Sequence, residues 1–458
     1  MARGTPGEGK VVALPITDLN HDGEGVGRTE DGFVLFVPQA LPGDVVEAEV
    51  REVKKGFGRA RMRSLLEPSP GRIAAPCPVA GECGGCPLQH FDYARQLAWK
   101  EDRVLQALRR IGRFEEPPVA PILGMERPFQ YRNKAQYPVR AGAGGRVEMG
   151  FYRQGSHELV PSEDCLIQHP LVVEAARAIR GLVEELRIAP YDEATGLGVL
   201  RHIVVRASFA RKETMVVAVT STPELPLRAE WVRRAPEAVG SLVSLVHNVQ
   251  ERRGNTVLGD RWELLWGEPC LVEVIGEKEF EISPGAFFQV NPVQAARLFE
   301  AVRAYAELRG SERVWDVYCG AGSIGLYLAD GAAELRGVER VAQAVEDARR
   351  NARRNGIDQA RFEVGEAERV LPRWVQEGGR ADVCLLDPPR KGCDPRTLEA
   401  VLEARPGRVI YVSCNPTSLA RDLRVLVDGG YQLIEVQPVD MFPHTAHVEA
   451  VACLRWSG

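Results

Sequence analysis

VWDVYCGAGSIGLYLA, Val314–Ala329, is the stretch on which the fold turns. Its first residues read as a strand closing at Asp316 and its last as a helix, with Gly320, Gly322 and Gly325 around the turn between them. Glycines at the carboxyl end of a strand let the backbone approach a ligand closely. No Lys-Ser or Lys-Thr pair follows them, which argues against a phosphate-cradling P-loop. A second strand-like segment, ELRGVE, ends in Glu339, 23 residues after Asp316, where an acidic side chain can accept from ribose hydroxyls. A tight turn made only for packing would use the same glycines. Strand, glycines, helix and acidic strand end together point to a nucleoside-type ligand, either a dinucleotide or S-adenosylmethionine.

Downstream, strands and helices alternate. RVAQAVEDARRNARRNG, ADVCLLD, PRTLEAVLEA and RVIYVSC read as an α/β unit with a parallel sheet that begins near residue 287. ADVCLLDPPRKGC sets Asp387 at another strand end, where two prolines would hold a rigid loop beside the ligand. Arg390 follows the prolines where methyltransferases acting on exocyclic amines usually carry an aromatic residue, which speaks against amine chemistry. RVIYVSCNP leaves Cys414 at the end of a further strand, on the edge where ligands bind in sheets of this class. Alone, Cys414 would read as a buried structural cysteine. DMFPHTAHVEAVACL brings His444, His447 and Glu449 into a last apolar strand, where a carboxylate needs water, a partner or a task.

Upstream, residues 11 to 66 read as short strands with close turns: VVALPITDL, GVGRTEDGFVLFVP with a hairpin-like Asp31-Gly32, DVVEAEVREV and GRARMRSLLE. That pattern predicts a small closed barrel. REVKKGFGRARMR, residues 51 to 63, holds six Lys or Arg against one Glu, with Phe57 among them; it is either a solvated basic strand or a nucleic-acid contact. EPSPGRIAAPCP reads as a linker. CPVAGECGGCPLQH, Cys77 to His90, follows with three cysteines in ten residues. They could be a disulfide framework, a zinc site, an iron–sulfur site or three unrelated residues. YARQLAWKEDRVLQALRRIG predicts a helix over 93–112, and a mixed region containing HIVVRASF, TMVVAVTS and Cys165 runs to about residue 286.

The 458 residues, 45% of them hydrophobic, suffice for several buried cores. No apolar run follows the basic N-terminal residues, and none of about eighteen residues occurs later, so a cytoplasmic protein is expected, without membrane contact. In that compartment clustered cysteines mean metal or catalysis more often than disulfides. The net charge of −5 argues against a polyanionic partner for the whole chain but hides local basic patches.

One chemistry ties the C-terminal motifs together. C5 of uracil is a poor nucleophile toward a methyl donor until a thiolate adds at C6. A base must then remove the C5 proton before the thiolate can leave. Cys414 and Glu449 suit those two roles. With FFQVN (Phe287 to Asn291), DVYCGAGSIG, GVE, LDPPRKG, SCNP and DMFPHTAHVE in this order, the chain resembles the RNA uracil-5-methyltransferases over nearly its whole length, and specifically the iron–sulfur-containing 23S ribosomal RNA branch.

The resemblance implies an α/β, Rossmann-like S-adenosylmethionine-dependent methyltransferase domain over 287–458. It also implies a TRAM barrel of the oligonucleotide-binding type over 1–68 and a central α+β iron–sulfur domain over 69–286, with the helix over 93–112 free to pack on the catalytic part. By position, Cys414 is the implied nucleophile and Glu449 the implied base. Gln289, Tyr318, Ser323, Glu339 and Asp387 match contacts to the methyl donor or the target base, and Glu366 in VGEAE matches a further donor contact; Gly320 and Gly322 line the donor turn. Tyr318 stands where relatives often have Phe, and Ser323 where others have Asn. Cys77, Cys83, Cys86 and Cys165 match the ligand set of a four-iron, four-sulfur cluster, whereas structural zinc sites more often show two Cys-x-x-Cys pairs. The expected product is 5-methyluridine in 23S ribosomal RNA, made without an obligate protein partner. The rivals are the same chemistry on transfer RNA, a non-catalytic iron–sulfur RNA-binding protein, and a nicotinamide oxidoreductase in which DPPR and SCNP would have no role.

Overall fold

A computed structural model describes residues 6–458. Five N-terminal strands close into a barrel: β1 (Val11–Leu19), β2 (Gly25–Arg28), β3 (Val34–Val37), β4 (Val45–Val53) and β5 (Phe57–Glu67), in the order β1-β2-β3-β5-β4. Alternation sends Leu14, Ile16, Leu35, Val37, Val46, Ala48 and Val50 inward, and all are at most 2% exposed. The Thr29–Phe33 turn, with Gly32 at φ 81°, makes β2 and β3 a hairpin.

After helix α1 (Tyr93–Arg110) come β6 (Lys134–Ala141), β7 (Val147–Tyr152), β8 (Leu159–Pro161), α2 (Pro170–Glu185), β9 (Leu200–Ala207), β10 (Thr214–Thr220), α3 (Arg228–Ala238), β11 (Leu242–Val249) and β12 (Arg261–Gly267). Their sheet runs β12-β11-β10-β9-β6-β7-β8. Every residue of β9 and β10 is buried, as their continuous apolar runs require of strands covered on both faces. A hairpin, β13 (Leu271–Ile275) and β14 (Lys278–Ile282), follows.

The C-terminal part contains α4 (Pro292–Ala306), β15 (Glu312–Val317), α5 (Ser323–Leu328), β16 (Ala332–Glu339), α6 (Ala342–Arg354), β17 (Ala360–Val364), α7 (Ala367–Gln376), β18 (Val383–Leu386), α8 (Pro395–Ala404), β19 (Arg408–Ser413), α9 (Pro416–Asp428), β20 (Tyr431–Val439) and β21 (Glu449–Trp456). The sheet order is β17-β16-β15-β18-β19-β21-β20. The first five are parallel, and β21 lies antiparallel to both β19 and β20. The parallel expectation thus holds through β19 and ends in an antiparallel insertion. Trp315 and Trp374 meet edge to face at 5.4 Å in the core, a pairing worth about 1 kcal/mol beyond burial. Val104 and Leu108 of α1 belong to this same core.

Two compact units result, each discontinuous in sequence. One holds the described residues up to Lys100 with Phe151–Val160 and Phe442–His447; the other holds Glu101–Gly150, Pro161–Met441 and Val448–Gly458. Among the described residues, no helix is long and apolar enough to cross a membrane.

Candidate active site

Parallel strands deliver their carboxyl ends to one edge, and the loops leaving β15, β16, β18 and β19 carry most of the expected residues. Asp316, 2% exposed, closes β15 and accepts the Gly325 N–H at 3.1 Å. A Cβ at residue 325 would lie 2.4 Å from that carboxylate oxygen, so the turn requires glycine there. Burial pushes the Asp316 carboxyl up to about 7 against the pull of the Gly325 hydrogen bond, and the Glu339 charge pushes it further.

Tyr318 takes φ 66°, a left-handed conformation that turns the chain into the glycines. Its hydroxyl lies 3.3 Å from Thr397 Oγ1, and its half-buried ring packs on the core. Gly320, at φ 54°, faces open space where a Cβ would stand. Its N–H donates to Glu339 Oε2 at 3.3 Å, while Glu339 Oε1 accepts from Val341 N–H at 2.9 Å. Gly322, at φ 78°, is the N-cap of α5, and Ser323 opens that helix half-buried. Gln289 is 8% exposed; its carbonyl accepts from the Asn133 side chain at 3.2 Å, and its own amide has no protein partner among the described residues. Glu366 is the exposed N-cap residue of α7, after the sheet's outer strand, and its side chain makes no capping hydrogen bond.

Register sets the two residues expected to react side by side. Ser413 of β19 pairs with Ala450 of β21, so the next residue on β19's side, Cys414, comes opposite Glu449. Glu449 is 7% exposed, and burial raises its carboxyl to about 7 against the pull of Arg390. Burial also raises the half-buried Cys414 thiol. The charges of Glu449 and Asp387 add to that rise and Arg390 opposes it. Asp387 is held well above the carboxylate range by burial, then by Glu449, Asp316 and Glu339. This edge is therefore crowded with acids that cannot all ionise together.

Arg390 is the cation set against that crowding, an electrostatic role that sequence reading missed although DPPR displays the residue. Its loop is locked to α9. Asn415 Nδ2 and Ser418 Oγ donate to the Arg390 carbonyl at 2.9 and 3.0 Å, and Asp422 accepts from Cys393 N–H at 2.8 Å and Tyr411 hydroxyl at 2.6 Å. Asn415 also caps α9 through Thr417 N–H. Cys319, Cys384 and Cys393 are buried.

In the other unit, Cys77, Cys83 and Cys86 are half-buried on consecutive turns. Burial raises the Cys83 thiol, the Gly85 N–H donated to its sulfur at 3.4 Å lowers it, and Cys77 raises it again. Cys165 is half-buried in the second unit. No three Cys, His, Asp or Glu residues form a metal-holding group among the described residues. On the barrel, Phe57 does not stand free: its ring meets Phe36 at 5.3 Å. Arg51 and Arg63 pair with Glu49 and Lys54 with Glu52, whereas exposed Lys55, Arg59 and Arg61 make no ion pair among the described residues.

Comparison with known proteins adds to this geometry. The TRAM domain family matches residues 7–62, and the tRNA (Uracil-5-)-methyltransferase family matches residues 273–456. An uncharacterized RNA methyltransferase of Halalkalibacterium halodurans is 48% identical over 97% of this chain and 96% of its own, and one of Bacillus cereus is 45% identical over the same shares. The crystal structure of Pyrococcus abyssi tRNA (uracil-54, C5)-methyltransferase in complex with S-adenosyl-L-homocysteine is 31% identical. It covers 96% of this chain and 99% of its own, with a TM-score of 0.78. The chain belongs to the RNA uracil-5-methyltransferase family, with an N-terminal TRAM domain.

Proposed function

We propose that the protein transfers a methyl group from S-adenosylmethionine to C5 of a uridine in 23S ribosomal RNA. The observation that carries the reaction is Cys414 facing Glu449 across β19 and β21, with Glu449 raised to about 7. Cys414, as its thiolate, adds through sulfur to C6 of uracil, and the C5–C6 π pair moves to C5 and O4. C5 then attacks the methyl group of S-adenosylmethionine, whose methyl–sulfur bond breaks with its electron pair kept on sulfur, so that S-adenosylhomocysteine leaves. Glu449, ionised, removes the C5 proton; the pair returns toward C6, the C–S bond breaks, and Cys414 leaves as thiolate. Asp387 and Glu339 at the strand ends, and Gln289 in the segment before α4, would meet the uracil edge and the donor; Gly320, where a Cβ would find open space, would leave the backbone accessible to the donor, with Gly322 turning the chain into α5 beside it. Tyr318 and Ser323 shape the same turn, and Glu366, after β17, would be the outlying donor contact.

Cys77, Cys83, Cys86 and Cys165 would hold a four-iron, four-sulfur cluster. The N–H donated to the Cys83 sulfur suits a cluster thiolate. Such a cluster would supply a structural staple, since the proposed methyl transfer moves no net electrons. The working division is a TRAM barrel to residue 68, a central part to 286 and the catalytic part beyond, acting in the cytoplasm.

Transfer RNA is a second reading, favoured by the Pyrococcus abyssi likeness over 96% of this chain. A methylation assay with tritiated S-adenosylmethionine, unmodified 23S ribosomal RNA and transfer RNA, read by nucleoside analysis, decides between them. Label in 5-methyluridine of ribosomal RNA alone is expected. Label in transfer RNA overturns the substrate, and no label in either overturns the reaction.

A further inference from the structure

Lys134 of β6 pairs in register with Arg206 of β9, two cations directly opposite on neighbouring strands. Like charges in that position repel, and a buried charge without a counterion is costly. Arg206 is 3% exposed, its Nε has no hydrogen-bond partner, and among the described residues neither it nor Lys134 makes an ion pair. Arg206 donates instead to the carbonyl of Ala286. Arg132, whose Nε donates to the Lys134 carbonyl at 3.2 Å, adds a third positive charge. Burial and these two arginines pull the half-buried Lys134 ammonium down to about 7, the direction expected of a cation that lacks its anion.

The turn that Arg206 grips has aromatic surface on its other flank. Trp262, on the edge strand β12, is 39% exposed, and Phe287 is 78% exposed two residues before Gln289. A Cβ at Gly285 would lie 2.9 Å from Trp262 Cζ2, so the turn rests against the indole and leaves the remainder open. Among the described residues the indole N–H has no partner. Arg206 on β9 and Trp262 on β12, with β10 and β11 between them, each meet this turn, and a single RNA strand uses both kinds of group: cations for a phosphate, rings for a base.

We propose that the RNA strand adjoining the target nucleotide crosses the Ser283–Phe287 turn, with a phosphate held at Lys134, backed by the charge of Arg206, and a base stacked on Trp262. The assignment rests on RNA being the substrate, as proposed above. It extends the contact surface beyond the crevice to an edge strand that carries none of the reacting groups.

The test is the binding of fluorescein-labelled oligouridylate to the full chain, followed by anisotropy across a salt series. Trp262→Ala should weaken binding about tenfold, the loss of one stacked base, with an unchanged salt slope, and Trp262→Phe should restore most of it. Lys134→Met should lower the salt slope by about one phosphate contact. Wild-type affinity in Trp262→Ala, or an unchanged slope in Lys134→Met, overturns the assignment, as does a fall in melting temperature that accounts for the loss. Binding is read without methyl transfer, so a wild-type protein that binds but transfers no label would refute the reaction and leave this surface standing.

Discussion

Replacing Glu449 by Gln removes the proposed proton acceptor and leaves the side chain's shape nearly unchanged. The raised carboxyl of Glu449 makes two consequences calculable. The first is kinetic. A positioned base contributes about 10²- to 10⁴-fold, so release of the product should slow by that factor while addition of Cys414 to C6 and methylation proceed. The variant should then accumulate as a covalent protein–RNA adduct that survives denaturing electrophoresis. The second is thermodynamic. The rise from an ordinary 4.5 to about 7 means that folding disfavours the ionised form by about 3 kcal/mol. Below the unfolded value both states hold the proton and nothing is lost. As pH climbs from the unfolded value through about 7, the unfolded chain releases the proton first, and wild-type stability falls. Glu449→Gln carries no such burden, so it should melt higher than wild type at about pH 8 and equally at about pH 4. Wild-type turnover below about pH 7 should decline roughly tenfold per pH unit as the base fills. A Glu449→Gln variant with near-normal turnover and no adduct would refute the assignment of the base.

Four further outcomes follow from the same geometry. Cys414→Ala should bind S-adenosylmethionine as wild type does, by calorimetry, and transfer no methyl; residual turnover near wild type removes Cys414 from the nucleophile's role. Gly325→Ala drives a methyl against Asp316 at 2.4 Å and should cost at least ~2 kcal/mol in denaturant unfolding, so an unaltered midpoint would show that the turn yields freely. Protein purified without oxygen should carry iron and sulfide in equal amounts, and Cys86→Ser should lose both, whereas iron-free wild-type protein rules out the cluster. Acids at the strand edge repel one another, and a cationic ligand relieves them. Affinity for S-adenosylmethionine relative to neutral S-adenosylhomocysteine should therefore rise with pH through about 7, and a ratio flat with pH contradicts the crowding.

What the sequence made legible was local. The glycine turn after Asp316 and the acidic end of β16 express backbone demands met within a few residues. So does the strand alternation of the barrel, and each can be read from spacing. What stayed hidden depends on partners distant in the chain. Nothing near Phe57 says that Phe36 covers one side of it, or that Glu49 neutralises two of the basic residues around it. Tyr318 reads as a ligand contact, yet its hydroxyl finds Thr397, 79 residues on. The buried guanidinium of Arg206 sits in an ordinary apolar run, and only the pairing of β6 with β9 places another cation against it.

Strand direction is the least legible feature and the one on which the proposed chemistry depends most. Residues after β15, β16, β18 and β19 share an edge because parallel strands end together. A sixth parallel strand would have carried its first residue to the opposite edge, about 26 Å away for the eight residues of β21. Glu449 is that first residue. Because β21 runs antiparallel between β19 and β20, its beginning lies where β19 finishes, and Glu449 arrives beside Cys414 from the far side of the sheet. The reversal of direction between β20 and β21 is therefore what the proposed chemistry depends on. It converts a strand start, buried and costly for a carboxylate, into the position where a carboxyl with a raised pKa comes opposite the Cys414 thiol.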